Sequence, residues 1–385
     1  MNHLYYKNEV IFIRCKRCDN EFPGYFYYGN NGCYCRKCIK FMNQKLEETE
    51  IKEVDSEYKL SFSLTDKQKD ISQKLALAIS EGHSVLLEAV CGAGKTEIVY
   101  QTVSETLKKK KRVGMAISRR QVVLEIAQRM QEVFTNIKVV PVCQGHTDIL
   151  QADLVICTTH QLYRYNNYFD LLIIDEPDAF PFKGNELLQA FAKNSCKGQM
   201  IYLTATPDDK LVEEVKKGKL KYLYLARRPS GRDLPVPNLI YGNKIYLFIY
   251  LFYCLRKNKN KTVLVFVPTI KWGKILYFIF RLFFKCTYIN SGTENKDDNI
   301  KEFKDGKYNI CFSTTVLERG ITIKKVNVII FLADHRVFDE ASLIQSSGRV
   351  GRSIDDPEGF CFFLAETKSE SIDNCLKRIR LANEN

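Results

Sequence analysis

An α/β protein is expected, with two tandem doubly wound parallel-sheet domains behind a small N-terminal four-cysteine zinc module. Three observations carry this. Apolar strand-like runs alternate with helical patterns from about Ser61 to Arg228, in "HSVLLEAV", "RVGMAIS", "DLVICTT", "LLIIDE" and "QMIYLTAT". After a proline-rich break the alternation resumes in "KTVLVFVPT", "CTYINS", "YNICFSTT", "VNVIIFLA" and "GFCFFLAE". Ahead of both, five of the 14 cysteines crowd into the first forty residues. Continuous apolar strands separated by helices are what a parallel sheet covered on both faces requires.

Taken in order, residues 1–45 form the zinc-binding module and residues 46–60 a charged linker, within "NQKLEETEIKEVDSEYK". Residues 61–228 form the first α/β domain. Residues 229–240 form a second linker, where "RRPSGRDLPVPN" carries three prolines and a glycine. Residues 241–385 form the second α/β domain. The apolar stretches "KIYLFIYLFYCLRK" and "ILYFIFRLFF" are too short to span a bilayer, which needs roughly 20 residues. They are expected to be buried helices.

In the module, "CKRC" supplies Cys15 and Cys18, and "CRKC" supplies Cys35 and Cys38. Each CxxC turn brings two thiolates to one side, and two such turns complete a tetrahedral site for structural Zn²⁺. Cys33 in "CYCRKC" offers a substitute for Cys35, although CxxC geometry at both ends favours Cys35. Phe22, Tyr25, Phe26, Tyr27, Tyr28 and Tyr34 lie among Arg14, Lys16, Arg17, Arg36 and Lys37. Aromatic faces stack bases and cations neutralise phosphates, so this mixture suits single-strand binding. Packing of a tiny metal-pinned core accounts for some of the rings.

"EAVCGAGKTE" follows the strand "SVLLEA" and precedes a helical stretch, the setting of a phosphate-binding loop. Gly92 and Gly94 let successive N–H groups point at phosphate oxygens, with a favourable helix N-terminus behind them. Lys95 reaches the β- and γ-phosphates of ATP, and Thr96 binds Mg²⁺. In "LLIIDEPDAFPF" a buried strand ends in two acids. Neighbouring side chains on a strand point to opposite faces, so Asp175 serves the metal while Glu176 polarises the attacking water. A solvated acidic turn is the alternative for the pair taken alone.

"QSSGRVGRS" in the second α/β domain offers Gln345, Arg349 and Arg352. Arginine inserted near a γ-phosphate stabilises the charge that develops there, and this expectation makes closure of the two domains depend on ATP. A surface arginine pair is the plainer reading. Arg119, Arg120 and Arg164 are candidate phosphate contacts for a nucleic-acid strand. The run "KKKKR", Lys108 to Arg112, reads rather as a solvated helix end.

Composition is compatible with this. The net charge is +13, with a pI near 9.0, which favours a polyanionic partner, nucleic acid or an anionic membrane surface. The N-terminal "MNHLYYKNEV" has no basic region followed by an apolar core, so no secretory signal is expected. A reducing compartment follows, where clustered cysteines indicate metal rather than disulfides. Cys91, Cys157 and Cys311 sit in apolar runs and are expected as small buried side chains.

The series "CGAGKTE", "DEPD", "LTATP", "STTVLERGI" and "QSSGRVGRS" resembles the ordered motifs of the second superfamily of helicases and translocases. More narrowly, "LLIIDEPDAFPF", "STTVLERGITI" and "GRVGRS" behind a four-cysteine module look like the ComFA family of late-competence ATPases. That family's acid box usually reads DEVDAFPF; Pro177 departs from it, as does Ser347 beside the arginines. The resemblance implies two RecA-like domains and an ATPase moving single-stranded DNA during transformation. It implies that Gln68 reads the adenine edge and that Thr204 and Thr206 couple hydrolysis to movement. Thr314, Thr315, Glu318 and Arg319 fall between nucleotide and nucleic acid, with Gly320 near the phosphates. "TTHQLYR" and "SRRQ" correspond to strand-contacting segments. Implied partners are ComFC-like and DprA-like competence proteins and an inner-membrane DNA channel, without lipid insertion. The implied location is cytoplasmic, peripheral at the inner face of the cell membrane. Two other functions stay open: a repair or replication-restart helicase, and a zinc-dependent nucleic-acid adaptor whose ATPase fold only scaffolds.

Overall fold

Pairing of the apolar runs fixes the architecture. A computed structural model describes residues 14–29, 32–41, 46, 54–319, 323, 325–351 and 359–384. Much of the 46–60 linker and the first thirteen residues of the zinc module lie outside these, as do Gly320, Arg352 and the Tyr28 side chain. The described chain forms two compact units. One comprises Met1–Glu88 and Lys95–Tyr224; the other comprises Ala89–Gly94 and Leu225–Asn385.

The first unit opens with an antiparallel hairpin, β1 (Phe26–Gly29) and β2 (Gly32–Cys35), with Phe26 opposite Cys35. Its main sheet contains β3 (Ser84–Ala89), β4 (Val113–Ile117), β5 (Val139–Val142), β6 (Leu154–Thr158), β7 (Phe169–Asp175), β8 (Cys196–Thr204) and β9 (Leu220–Leu225). The spatial order is β5-β6-β4-β7-β8-β3-β9. The ladders joining β5 to β6, β6 to β4, β4 to β7, β7 to β8 and β8 to β3 are parallel. Every residue of β4 and β6 is buried, as a strand covered on both faces must be.

Helix Asp66–Ser80 starts at a capping box, in which Thr65 accepts from Gln68 N and the Gln68 side chain accepts from Thr65 N. Helix Tyr100–Lys108 ends at the basic run, and Lys109–Arg112 are exposed or half-buried turn residues, as expected. Helix Glu186–Ser195, capped by Asn185, packs its buried Leu188 and Phe191 toward the cysteine module.

The second unit holds β10 (Asn238–Tyr241), β11 (Thr262–Phe266), β12 (Cys286–Ile289), β13 (Ile310–Ser313), β14 (Val326–Phe331) and β15 (Cys361–Ala365). The order β10-β15-β14-β11-β13-β12 is parallel throughout. Two parallel, helix-covered sheets behind a four-cysteine cluster give the expected architecture. Cys157 and Cys311 are buried as expected, and burial pushes both thiols well up from their ordinary range.

One expectation needs correction. The two apolar stretches do form helices, Lys244–Lys257 and Ile270–Phe280, but only one face of each is buried. Leu247, Leu251 and Leu255 enter the core with Leu276 and Phe280, whereas Ile245, Ile249, Tyr253, Phe278, Leu282 and Phe283 are exposed. A sequence apolar all round gives no periodicity from which to choose the buried face.

Candidate nucleotide and zinc sites

Parallel strands deliver their C-terminal ends to one edge, where open α/β sheets place ligands. In the first sheet β7, β8 and β3 are neighbours, and they end in Asp175, Thr204 and Ala89. The loop after β3 turns through Gly92 and Gly94 at φ +83° and +80°, values a side chain would strain. Lys95 and Thr96, both half-buried, then open helix Lys95–Ile98. This backbone is compatible with a phosphate cradle.

At the end of β7, Asp175 keeps sheet register with Ile117 and Leu203. Glu176 departs from it with φ +53°, a conformation rare for a residue with a side chain. Its N–H donates to Leu203 O at 2.9 Å, and its carbonyl accepts from Ala179 N at 3.0 Å. The chain therefore turns sharply between the two acids.

Sequence reasoning passed over Asp178, only 4% exposed. The Thr204 hydroxyl donates to Asp178 Oδ1 at 2.5 Å and the Thr206 hydroxyl to Oδ2 at 2.6 Å. Thr206 N donates in turn to Thr204 Oγ1 at 2.9 Å. One buried carboxylate thus ties the acid-bearing turn to the "TATP" segment. The available signal was the pair of threonines two apart, able to present both hydroxyls to one acceptor. Asp178→Ala strands both hydroxyls and is expected to cost about 3 kcal/mol of unfolding free energy. Urea denaturation measures it, and adding Thr204→Val should be less than additive.

Gln68 is buried in its capping box, with Oε1 accepting from Thr65 N at 3.0 Å. Arg120 donates to Gln144 O, and Arg164 donates to Gln161 Oε1 at 2.5 Å with its guanidinium over Tyr163. Residues Thr159–Arg164 of "TTHQLYR" form a 3₁₀ helix.

In the second unit, Gln345 and Arg349 are each 2% exposed, so neither faces bulk solvent. Cys91 Sγ donates to Gln345 Oε1 at 3.2 Å, while Gln345 Nε2 is buried with no hydrogen-bond partner among the described residues. That orphaned donor is compatible with an oxygen-rich ligand. Arg349 Nε donates to Glu318 O at 3.1 Å, and the Ser342 hydroxyl donates to Glu318 Oε2 at 2.5 Å. Gly348 leaves no room for a side chain, because a Cβ there would overlap Cys91.

A second residue missed from sequence is Arg228. It is buried, and its guanidinium donates to Cys91 O at 2.9 Å, Gly348 O at 2.9 Å, Val350 O at 2.7 Å and Gly351 O at 3.0 Å. No local pattern announces it, because all four acceptors are backbone carbonyls distant in sequence.

The ligand sulfurs of Cys15, Cys18, Cys35 and Cys38 all lie within 4.8 Å of one another. Cys15 and Cys38 Sγ are 3.7 Å apart, and Cys18 and Cys35 Sγ are 3.6 Å apart. A tetrahedral zinc with bonds near 2.3 Å sets sulfurs about 3.8 Å apart, so the four fit the ion. Among the described residues Cys33 is not part of the cluster, whereas Cys35 is. Hydrogen bonds from Cys18 and Cys38 hold the Cys15 thiol well down, and Cys15 in turn drives Cys18 well up and Cys38 to about 12. Four thiolates cannot share this space without a cation.

The module is seated on the first unit. Phe41 meets Tyr163 and Phe191 at 5.1 Å between ring centres, and Asn194 Nδ2 donates to Arg17 O at 3.0 Å. Phe22, Tyr25, Tyr27 and Tyr34 are exposed, with Arg36 over Tyr27 at 4.7 Å and Lys37 over Tyr25 at 5.9 Å.

Residues 61–209 match the family described as the type III restriction enzyme res subunit, and residues 244–353 match the helicase conserved C-terminal domain. Competence protein ComFA of Streptococcus pneumoniae is 34% identical over 391 residues, covering 96% of this chain and 90% of that protein. The chain belongs to the ComFA family. ComFA of Bacillus subtilis is 30% identical, over 96% of this chain and 86% of its own length. The fold of this ComFA-family chain is also that of Saccharomyces cerevisiae Dbp5 bound to RNA and ADP BeF3. The TM-score is 0.63 at 17% identity, covering 83% and 92% of the two chains. Family and fold together make it an ATP-hydrolysing, helicase-like enzyme, with ATP as its nucleotide. Among the described residues no helix is long and apolar enough to cross a membrane.

Proposed function

We propose that this ComFA-family chain is an ATP-driven translocase on single-stranded DNA, moving the incoming strand during transformation. The observation that supports it most is the placement of Asp175, Thr204 and the glycine loop at the ends of three neighbouring strands. In this reading Gly92 and Gly94 cradle the phosphates and Lys95 neutralises them, while Gln68 meets the adenine. Thr96 and Asp175 would hold Mg²⁺, which would supply positive charge to the phosphates when bound. Glu176 takes a proton from the attacking water. Gln345 and Arg349 supply donors for the charge on the transferring phosphoryl group, a role the family resemblance extends to Arg352 and, for phosphate approach, to Gly320, both outside the described residues.

Cys15, Cys18, Cys35 and Cys38 hold Zn²⁺, which supplies rigidity to the hairpin and no open position for catalysis. The exposed rings of the module, interleaved with Arg36 and Lys37, stack bases without regard to sequence. The same reading places the enzyme at the inner face of the membrane, beside a DNA channel and ComFC-like and DprA-like partners.

Turnover titrated in parallel with single-stranded DNA, duplex DNA and RNA tests this. Stimulation several-fold above the basal rate by single-stranded DNA is expected, weakening as salt rises. No stimulation at low salt would sink the reading, and strand displacement on forked duplexes would favour a repair helicase instead.

A further inference from the structure

The exposed faces of helices Lys244–Lys257 and Ile270–Phe280 have no counterpart in an ATPase cycle. On the first, Ile245, Ile249 and Tyr253 recur at helical spacing; on the second, Phe278 is followed by Leu282 and Phe283. Ile249 is 60% exposed, Phe278 59% and Leu282 76%. The helices adjoin, since Phe280 meets Phe248 at 5.3 Å and Phe252 at 5.9 Å between ring centres. Side chains of this size, clustered and exposed, mark an interaction surface.

Charge selects the occupant. From Lys244 to Lys285 the sequence holds nine lysines and arginines and no acid; the flanking acids are Asp233 and Glu294. All nine cations are exposed, although Lys244 pairs with Glu366 at 3.1 Å. Arg256 and Lys257 extend the Ile245–Ile249–Tyr253 stripe by one turn, and Lys271, Lys274 and Arg281 flank Phe278. A second copy of this face would set like charge against like. A nucleic acid would answer the cations and leave Ile249 and Leu282 without apolar contact.

We infer that this face docks on an anionic lipid surface, with the helices lying in the headgroup plane. The apolar side chains enter the headgroup–acyl boundary while the cations meet lipid phosphates. Helices of 14 and 11 residues are too short to cross the bilayer and the right shape to lie along it. This replaces the expectation of no lipid insertion with shallow insertion of side chains only. It deepens the membrane-adjacent part of the proposed function, and its test needs neither ATP nor DNA.

The whole chain is floated with vesicles of phosphatidylcholine, or of phosphatidylcholine with a quarter phosphatidylglycerol. Binding is expected to the anionic vesicles, falling as salt rises from about 0.1 M. Ile249→Ser with Phe278→Ser, and separately Arg256→Glu with Lys274→Glu, should each weaken it about tenfold or more. Both variants should keep wild-type ATP turnover, showing that they fold. Failure of the wild type to float, or flotation of both variants equal to wild type, overturns the inference. So does loss of single-stranded DNA binding in the variants with flotation unchanged, or sedimentation showing that the face joins two copies of the chain.

Discussion

Lys95→Ala is expected to lower ATP turnover about 10³-fold while single-stranded DNA binding stays within about twofold of wild type. The lysine begins a helix directly after two left-handed glycines, so its ammonium follows a loop shaped to surround phosphate. No other lysine lies within that loop, so none replaces it. Glu176→Gln separates binding from chemistry. The amide keeps the volume of the side chain and preserves the turn at φ +53°, but it cannot take a proton. Turnover should fall about 10²-fold or more with nucleotide affinity retained. Steady-state hydrolysis, beside fluorescent-nucleotide binding and a melting curve, reads all three quantities. A Glu176→Gln enzyme turning over at wild-type rate would remove that residue from the reaction.

The second large effect is at the zinc module. A two-stranded hairpin is at best marginally stable alone, and β1 and β2 pair over only four residues each. Structural zinc contributes on the order of 10 kcal/mol of apparent binding free energy at neutral pH, far more than so small a hairpin can supply. Cys18→Ser or Cys35→Ser should therefore remove one zinc per chain and loosen the contact of Phe41 with Tyr163 and Phe191. Cys33→Ser should keep the metal, since Cys33 stands outside the cluster. Elemental analysis counts the zinc, and limited proteolysis reports the loosened hairpin. The reverse pattern, zinc lost with Cys33→Ser and kept with Cys35→Ser, would overturn the ligand set.

Legibility followed the range of each signal. β4, β6 and β7 were readable because a doubly covered parallel strand is a continuous apolar run. β5 was not: "VVPV" contains Pro141, which argues against a strand yet is tolerated at the sheet edge, where β5 lies. β10 begins at Asn238, directly after a run of prolines that reads as connector. The CxxC pairs announce themselves because metal geometry is local. Asp178 did not, because its hydroxyl partners lie 26 and 28 residues away. The outward side of Lys244–Lys257 escaped because tertiary packing alone decides which side of an evenly apolar helix is wet.

Arg228 grips main-chain oxygens at Cys91, Gly348, Val350 and Gly351. What it recognises is therefore the path of the peptide, whatever residues hang from it. That grip alone sets no demand on the side chain at position 350, whereas Cys91 is also held by Gln345 and by its packing on Gly348. The guanidinium has no such latitude, since lysine lacks the planar fork needed to reach four acceptors at once. The shape of the main chain, rather than its side chains, is what this one guanidinium enforces.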